Sequence, residues 1–148
     1  MKNLLITLSI LLLSTTVSAQ KAEKSNCVVT PTEVSFTSIF STNFGEKIET
    51  SHKYLYQLSC ARVSIDVEWK CAGFYADVNN VLDKNYLKQI ALDPRTIEVQ
   101  AVVGNIAIIR IRNNKQLVID TNENTRHFIF VENYESLNLY GRTEGVCK

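Results

Sequence analysis

Residues 96–112, Thr96-Ile97-Glu98-Val99-Gln100-Ala101-Val102-Val103-Gly104-Asn105-Ile106-Ala107-Ile108-Ile109-Arg110-Ile111-Arg112, decide the fold class. The stretch to Val103 alternates apolar with polar and ends wholly apolar. Gly104-Asn105 is a turn dipeptide, and beyond it Ile109 and Ile111 alternate with Arg110 and Arg112. Period-two runs of β-branched residues on either side of a two-residue turn have the form of a β-hairpin.

The pattern continues to the C-terminus. Asn113-Asn114 reads as a turn, Gln116 to Asp120 as a short strand and Thr121 to Thr125 as a polar loop. Phe128 to Val131 is apolar and β-favouring, Asn133-Tyr134-Glu135 turns the chain, and Leu137 and Leu139 alternate with Ser136 and Asn138 up to Gly141. This spacing predicts an antiparallel meander with strands over 96–103, 106–112, 116–120, 126–131 and 136–142.

Upstream the pattern is mixed. Ser64-Ile65-Asp66-Val67-Glu68-Trp69-Lys70 alternates cleanly, which predicts a strand burying Ile65, Val67 and Trp69. Tyr54, Tyr56 and Leu58 also alternate, although a helix over 46–61 suits the same residues. Val78, Val81, Leu82, Tyr86 and Ile90 recur at helical spacing, with Asp77 able to cap the start and Asp93-Pro94 to end it. A helix over 77–92 follows. Residues 31–44 carry Val34, Phe36, Ile39, Phe40 and Phe44 among Ser and Thr, and suit either a short helix or an edge strand. The expected architecture is α+β: an antiparallel β-meander sheet in the C-terminal half, at least one packed helix, and two disulfides.

The first nineteen residues read as a leader. Lys2 supplies a positive start, Leu4 to Leu13 an apolar run broken only by Thr7 and Ser9, and Val17-Ser18-Ala19 a small-residue cleavage site before Gln20. The run is shorter than the roughly 20 apolar residues that span a bilayer. The expectation is a secretory signal peptide over 1–19 and a single exported globular domain over 20–148, with no membrane insertion after cleavage. Lys24-Ser25-Asn26 before Cys27 is too polar for a lipoprotein site. A bacterial source and a periplasmic or secreted destination fit the short leader.

All four cysteines, Cys27, Cys60, Cys71 and Cys147, follow the leader. An even number in an exported chain predicts disulfides. Of three possible connectivities, Cys60–Cys71 closes a short loop and Cys27–Cys147 ties the two ends together. Zinc is the competing use of cysteine, but there is no C-x-x-C pair, and neither His52 nor His127 stands at ligand spacing from a second donor. No cofactor is implied.

The chain holds 16 basic and 15 acidic side chains; loss of residues 1–19 removes Lys2 and leaves 15 of each. The charges are interspersed. Nucleic acids and anionic membranes select for basic patches, so neither is the expected partner.

The sequence holds no complete catalytic constellation. Ser51 or Ser136 with His127 and Asp120 makes a triad only on paper, because no Gly-x-Ser-x-Gly elbow supports it. Asp66 and Glu68 share one face of the predicted strand, as paired glycosidase acids do, but that is also the solvated face. Asn122-Glu123-Asn124 lacks the ligand spacing of a calcium loop. Contact residues are easier to nominate: Tyr134 and Tyr140 near a turn and a strand end, and an arginine patch of Arg110, Arg112 and Arg126.

Export, small size and two disulfides match, as a class and without any shared motif, bacterial periplasmic inhibitors and effector-immunity proteins. The expected function is therefore a binding protein, inhibitor or immunity protein, that acts on another protein and is not an enzyme. A structural or accessory component of an envelope or secretion assembly is the second reading. A small hydrolase using His127 is the third.

Overall fold

The computed structural model of the chain describes residues 19–21, 25–41, 53–77, 89–112, 114–134 and 139–148. Eleven strands lie within them: β1 (Ala19–Lys21), β2 (Ser25–Val29), β3 (Glu33–Ser41), β4 (Lys53–Ala61), β5 (Lys70–Asp77), β6 (Gln89–Ala91), β7 (Ile97–Val103), β8 (Ile106–Ile111), β9 (Lys115–Asp120), β10 (His127–Tyr134) and β11 (Leu139–Val146). They form two sheets, a five-stranded one in the order β2-β3-β4-β5-β6 and a six-stranded one in the order β1-β11-β10-β9-β8-β7. Each is an antiparallel meander, except that β1 runs parallel to β11.

The expected α+β class is therefore corrected to all-β. No α-helix occurs among the described residues, and the only helical element is a 3-10 turn at Pro94–Thr96. The predicted helix over 77–92 overlaps strand at both ends: Asp77 closes β5, and Gln89–Ala91 is β6, paired to β5 through Phe74↔Ala91 and Ala76↔Gln89. Residues 78–88 lie outside the described residues. Three residues are too few to show a strand period, and here the neighbouring strand supplies the β conformation. Asp93-Pro94 does mark a boundary. The Asp93 carboxylate accepts the Arg95 N–H at 3.0 Å, and Pro94 opens the 3-10 turn that leads from one sheet to the other. Residues 33–41 and 53–61, left open between helix and strand, are both strand.

The five C-terminal strands stand where the alternation put them, with the last displaced toward the C-terminus at Leu139–Val146. Inward positions follow the period. Ile109 and Ile111 of β8, Leu117 and Ile119 of β9, and Phe128 and Phe130 of β10 are buried against Val34, Phe36 and Phe40 of β3 and Tyr56 and Leu58 of β4. The rings interlock across the two sheets: Phe36 lies 4.8 Å from Phe128, Phe40 5.0 Å from Phe130 and Tyr56 5.5 Å from Phe130, centroid to centroid. Such pairs add to the burial energy of the rings. Between Val99 and Ala101 the β7–β8 register slips, so that Val102 rather than Ala101 packs against the core.

Two disulfides bind this frame. Cys27 on β2 joins Cys147 just beyond β11, stapling one sheet to the other. Cys60 and Cys71 face each other in register across β4 and β5.

Candidate functional site

The two N-terminal meander loops at the Cys60–Cys71 end of the five-stranded sheet carry the most distinctive surface. Beyond Ala61 and Lys70 the β4–β5 pairing stops, and residues 62–69 project past the end of the sheet. The predicted strand over 64–70 is thus corrected to a loop through Trp69, with Lys70 opening β5. Ser64 and Val67 close a tight turn through the Val67 N–H to the Ser64 carbonyl, at 3.2 Å. Alternation was present, but β3 starts only at Glu33, which pairs with Ala61, so no strand runs beside residues 62–69 to bury one face of them.

What the loop does with its apolar side chains follows. Val63 is 92% exposed, Ile65 65% and Val67 44%. Burying an aliphatic side chain of this size is worth roughly 1.5–3 kcal/mol, so three of them on one projecting turn are a large unused source of binding energy. Asp66 and Glu68 stand among them, also exposed.

The loop is held from its base. The Arg62 guanidinium lies over the Trp69 ring at 4.3 Å. Its Nε–H donates to the Pro31 carbonyl at 2.7 Å and its NH1 to the Ile65 carbonyl at 3.1 Å. The Arg62 backbone N–H donates to the Thr32 carbonyl at 3.0 Å. Pro31 and Thr32 belong to the adjoining β2–β3 turn, itself closed by the Thr30 hydroxyl, which accepts the Glu33 N–H at 2.9 Å. One arginine therefore ties both loops together, and the Cys60–Cys71 bridge closes the neck. Trp69, expected in the core, is a half-buried strut beneath the tip.

A second feature is internal. Lys115 is 4% exposed and Glu132 3%, and they face each other across β9 and β10 on the inward side. Burial pushes the Lys115 ammonium below its usual range; Glu132 opposes that shift and Arg112 adds to it. Burial also pushes the Tyr56 hydroxyl well above its ordinary value, with the Glu132 carboxylate adding to the effect. Tyr54 packs edge-on against Tyr75 at 5.7 Å nearby on β4 and β5. Shifted groups gathered together are one mark of a functional site, but buried structural pairs shift in the same way.

The residues nominated from sequence are scattered. Arg110 lies on the exposed face of the six-stranded sheet, ion-paired with Glu98 across β7 and β8. Arg112 is not on that strand: it follows Ile111 in a turn with φ 54°. Arg126 sits in the β9–β10 loop, with φ 34°, at the other end of β9 and about 20 Å away at 3.3 Å per residue. The three arginines do not make one patch. Tyr134 and Tyr140 lie near the β10–β11 connection, and their side chains fall outside the described residues.

His127 opens β10 on the exposed face, its Nε2 3.6 Å from a Glu144 oxygen that also takes Arg142 at 2.9 Å. Asp120 faces it across β9 and accepts the Asn122 N–H at 2.9 Å. Ser51, His52 and Ser136 lie outside the described residues. Asp66 and Glu68 belong to the projecting loop and not to a strand face. Among the described residues no three His, Cys, Asp or Glu side chains gather into a metal-binding group, and no helix is long and apolar enough to cross a membrane.

Sequence reading missed both features described first. For the loop, the bridge alone would have been a clue, since Cys60 and Cys71 in register leave only a short hairpin tip between them. For the buried pair, Lys115 and Glu132 share the parity of Leu117, Ile119, Phe128 and Phe130, which assigns both to the inward face. The chain matches no family model, no curated protein and no solved structure.

Proposed function

We propose that the chain is an exported binding protein, an inhibitor or immunity protein of the bacterial envelope, that docks on another protein through the projecting loop of residues 62–69. The leader-like residues 1–19 and two disulfides support an oxidising, extracytoplasmic setting.

The observation that carries the reading is the combination in that loop of exposed aliphatic side chains with a braced backbone. A flexible loop would lose ordering entropy on binding. One fixed by a disulfide, a cation–π contact and hydrogen bonds to a neighbouring turn loses little. A convex apolar tip suits a concave site such as an enzyme cleft, and filling the cleft blocks the enzyme.

The test uses oxidised mature protein, immobilised and exposed to envelope and culture extracts. The reading expects one stoichiometric partner, retained by wild type and lost both in Ile65→Asp and in a reduced, alkylated control. Ile65 is exposed, so Ile65→Asp should keep the wild-type circular dichroism spectrum. A partner that Ile65→Asp still retains would reject the loop as the docking element.

A further inference from the structure

The outer face of the six-stranded sheet is aliphatic where a solvated face is polar. Ile108 of β8 faces Val118 of β9 in register, and Val118 faces Ile129 of β10. Ile106 and Val131 flank that row, and Val146 of β11 stands opposite His127 at one end. These side chains point away from the core, which their strand neighbours Ala107, Ile109, Leu117 and Phe130 fill. An antiparallel sheet with one wet face alternates apolar with polar residues, whereas a sheet covered on both faces carries unbroken aliphatic runs. Residues 106–109, 117–119 and 128–131 are such runs. The five-stranded sheet keeps the alternation: Ser35 faces Ser59 and Thr37 faces Gln57 at the outward positions of β3 and β4.

We infer that this face is the interface of a homodimer, in which a second copy lays its own six-stranded sheet against it. The area suffices. Strands β7 to β11 at about 4.8 Å spacing give about 24 Å of width, and the length of β8 at about 3.4 Å per residue gives about 20 Å. Each copy then covers about 500 Å², and the pair reaches the roughly 1,000 Å² lower bound of a specific interface. The charges of the face also suit a copy. Among its described side chains, Arg110 pairs with Glu98, Glu144 with both Arg142 and His127, and Asp120 accepts the Asn122 N–H and Nδ2. They surround the aliphatic row and form no block of one sign, so two copies meet without setting like charge against like charge en bloc.

Other occupants fit less well. A copy brings aliphatic rows of the same twist and spacing, the condition for two sheets to interdigitate about 10 Å apart. Its charges arrive already paired, so none is buried alone. A lipid surface would strip water from Glu98, Asp120 and Glu144 on the same face. A charged protein finds no uncompensated block there to recognise. The interface lies on the other sheet from residues 62–69, so it stands or falls apart from the docking role of that loop.

The test is sedimentation equilibrium of mature, oxidised protein from about 1 μM to about 500 μM, which brackets a micromolar dissociation constant. Wild type should pass from monomer to dimer mass within that range, at low and at high salt. Val118→Lys sets an ammonium at the centre of the face and should stay monomeric with the wild-type circular dichroism spectrum. Gln57→Lys, on the outer face of the other sheet, should dimerise like wild type. A photo-reactive amino acid at Val146, which leaves the centre of the face intact, should join two copies in the purified protein. The same group at Val28, an exposed aliphatic of the five-stranded sheet, should not. Monomer mass at every concentration, dimers that persist in a folded Val118→Lys, or crosslinks from Val28 and not from Val146 would overturn the interface. Binding of a monomeric wild type to phosphatidylcholine vesicles would replace the second copy with lipid.

Discussion

Lys115 and Glu132 occupy positions that the two neighbouring strands reserve for apolar side chains. Taking two charges out of water costs several kcal/mol each, and their mutual attraction repays this only as a pair. Lys115→Met leaves Glu132 buried without its facing ammonium and should cost about 3–5 kcal/mol in urea unfolding. Lys115→Met/Glu132→Leu should recover most of that loss, because an apolar pair suits the same layer. If the double variant is as unstable as the sum of the single ones, the two residues are not coupled.

The same layer fixes a pH dependence. The Tyr56 hydroxyl titrates higher in the folded than in the unfolded chain, so the folded state holds the proton more tightly. Its contribution is complete below the ordinary tyrosine value of 10.0 and is lost as pH rises above it. Lys115 works in the opposite direction: its folded value is lowered, so its penalty fades as pH climbs toward the ordinary 10.5. Tyr56→Phe should therefore flatten the alkaline fall in stability, measured by denaturant unfolding over a pH series. An unchanged alkaline limb would show that Tyr56 is not held protonated by the fold. Parity with Leu117, Ile119, Phe128 and Phe130 held the clue to the Lys115 and Glu132 burials, which the sequence reading missed. Their energetics left no such clue, because the facing strand and the Tyr56 layer come together only in the folded chain.

At the scale of elements, legibility depended on the local pattern and on where the partners of each strand lay. The C-terminal strands were readable because β-branched alternation is broken there by short turns, whereas the N-terminal strands also pair with their neighbours in sequence but carry patterns that suit helix as well as strand. Residues 64–69 carried an equally clean alternation and form no strand, because no strand lies beside them. β6 carried helical spacing and is strand, because β5 pairs with it. Gly73 is a further case, invisible to any pattern: a Cβ there would stand 2.7 Å from the Gln57 backbone oxygen and 2.7 Å from Leu58 Cδ2. Gly73→Ala should cost about 1–3 kcal/mol by forcing β4 and β5 apart or displacing Leu58 from the core. A variant with the wild-type unfolding midpoint would mean that the strands yield at no cost.

At the scale of the molecule, two meanders face each other across one aromatic core, joined by the chain at Pro94–Thr96 and by Cys27–Cys147. The bridge spans 120 residues, and closing a loop of that length restricts the unfolded chain by about 5 kcal/mol. Domains of this size have only about 5–15 kcal/mol to lose. Cys27→Ala/Cys147→Ala should therefore bring the protein close to its unfolding limit, read as a large fall in thermal midpoint. A midpoint near wild type would show that the sheets hold together without the staple. The cysteine pairing is the one favoured from sequence, although spacing alone left three connectivities open. The stacking of one sheet on the other was not legible, because no residue signals which sheet its strand will join.

On the proposed docking role, this rigid frame presents the loop of residues 62–69 to another protein. The most direct measurement places a photo-reactive amino acid at Val63 and, in a separate protein, at Val103, then irradiates each in envelope extract. Both positions are exposed aliphatics, at 92% and 73%, on different sheets. A docking loop should give one discrete crosslinked foreign protein from Val63 and none from Val103. Crosslinks from Val103 alone, or from neither position, would contradict it.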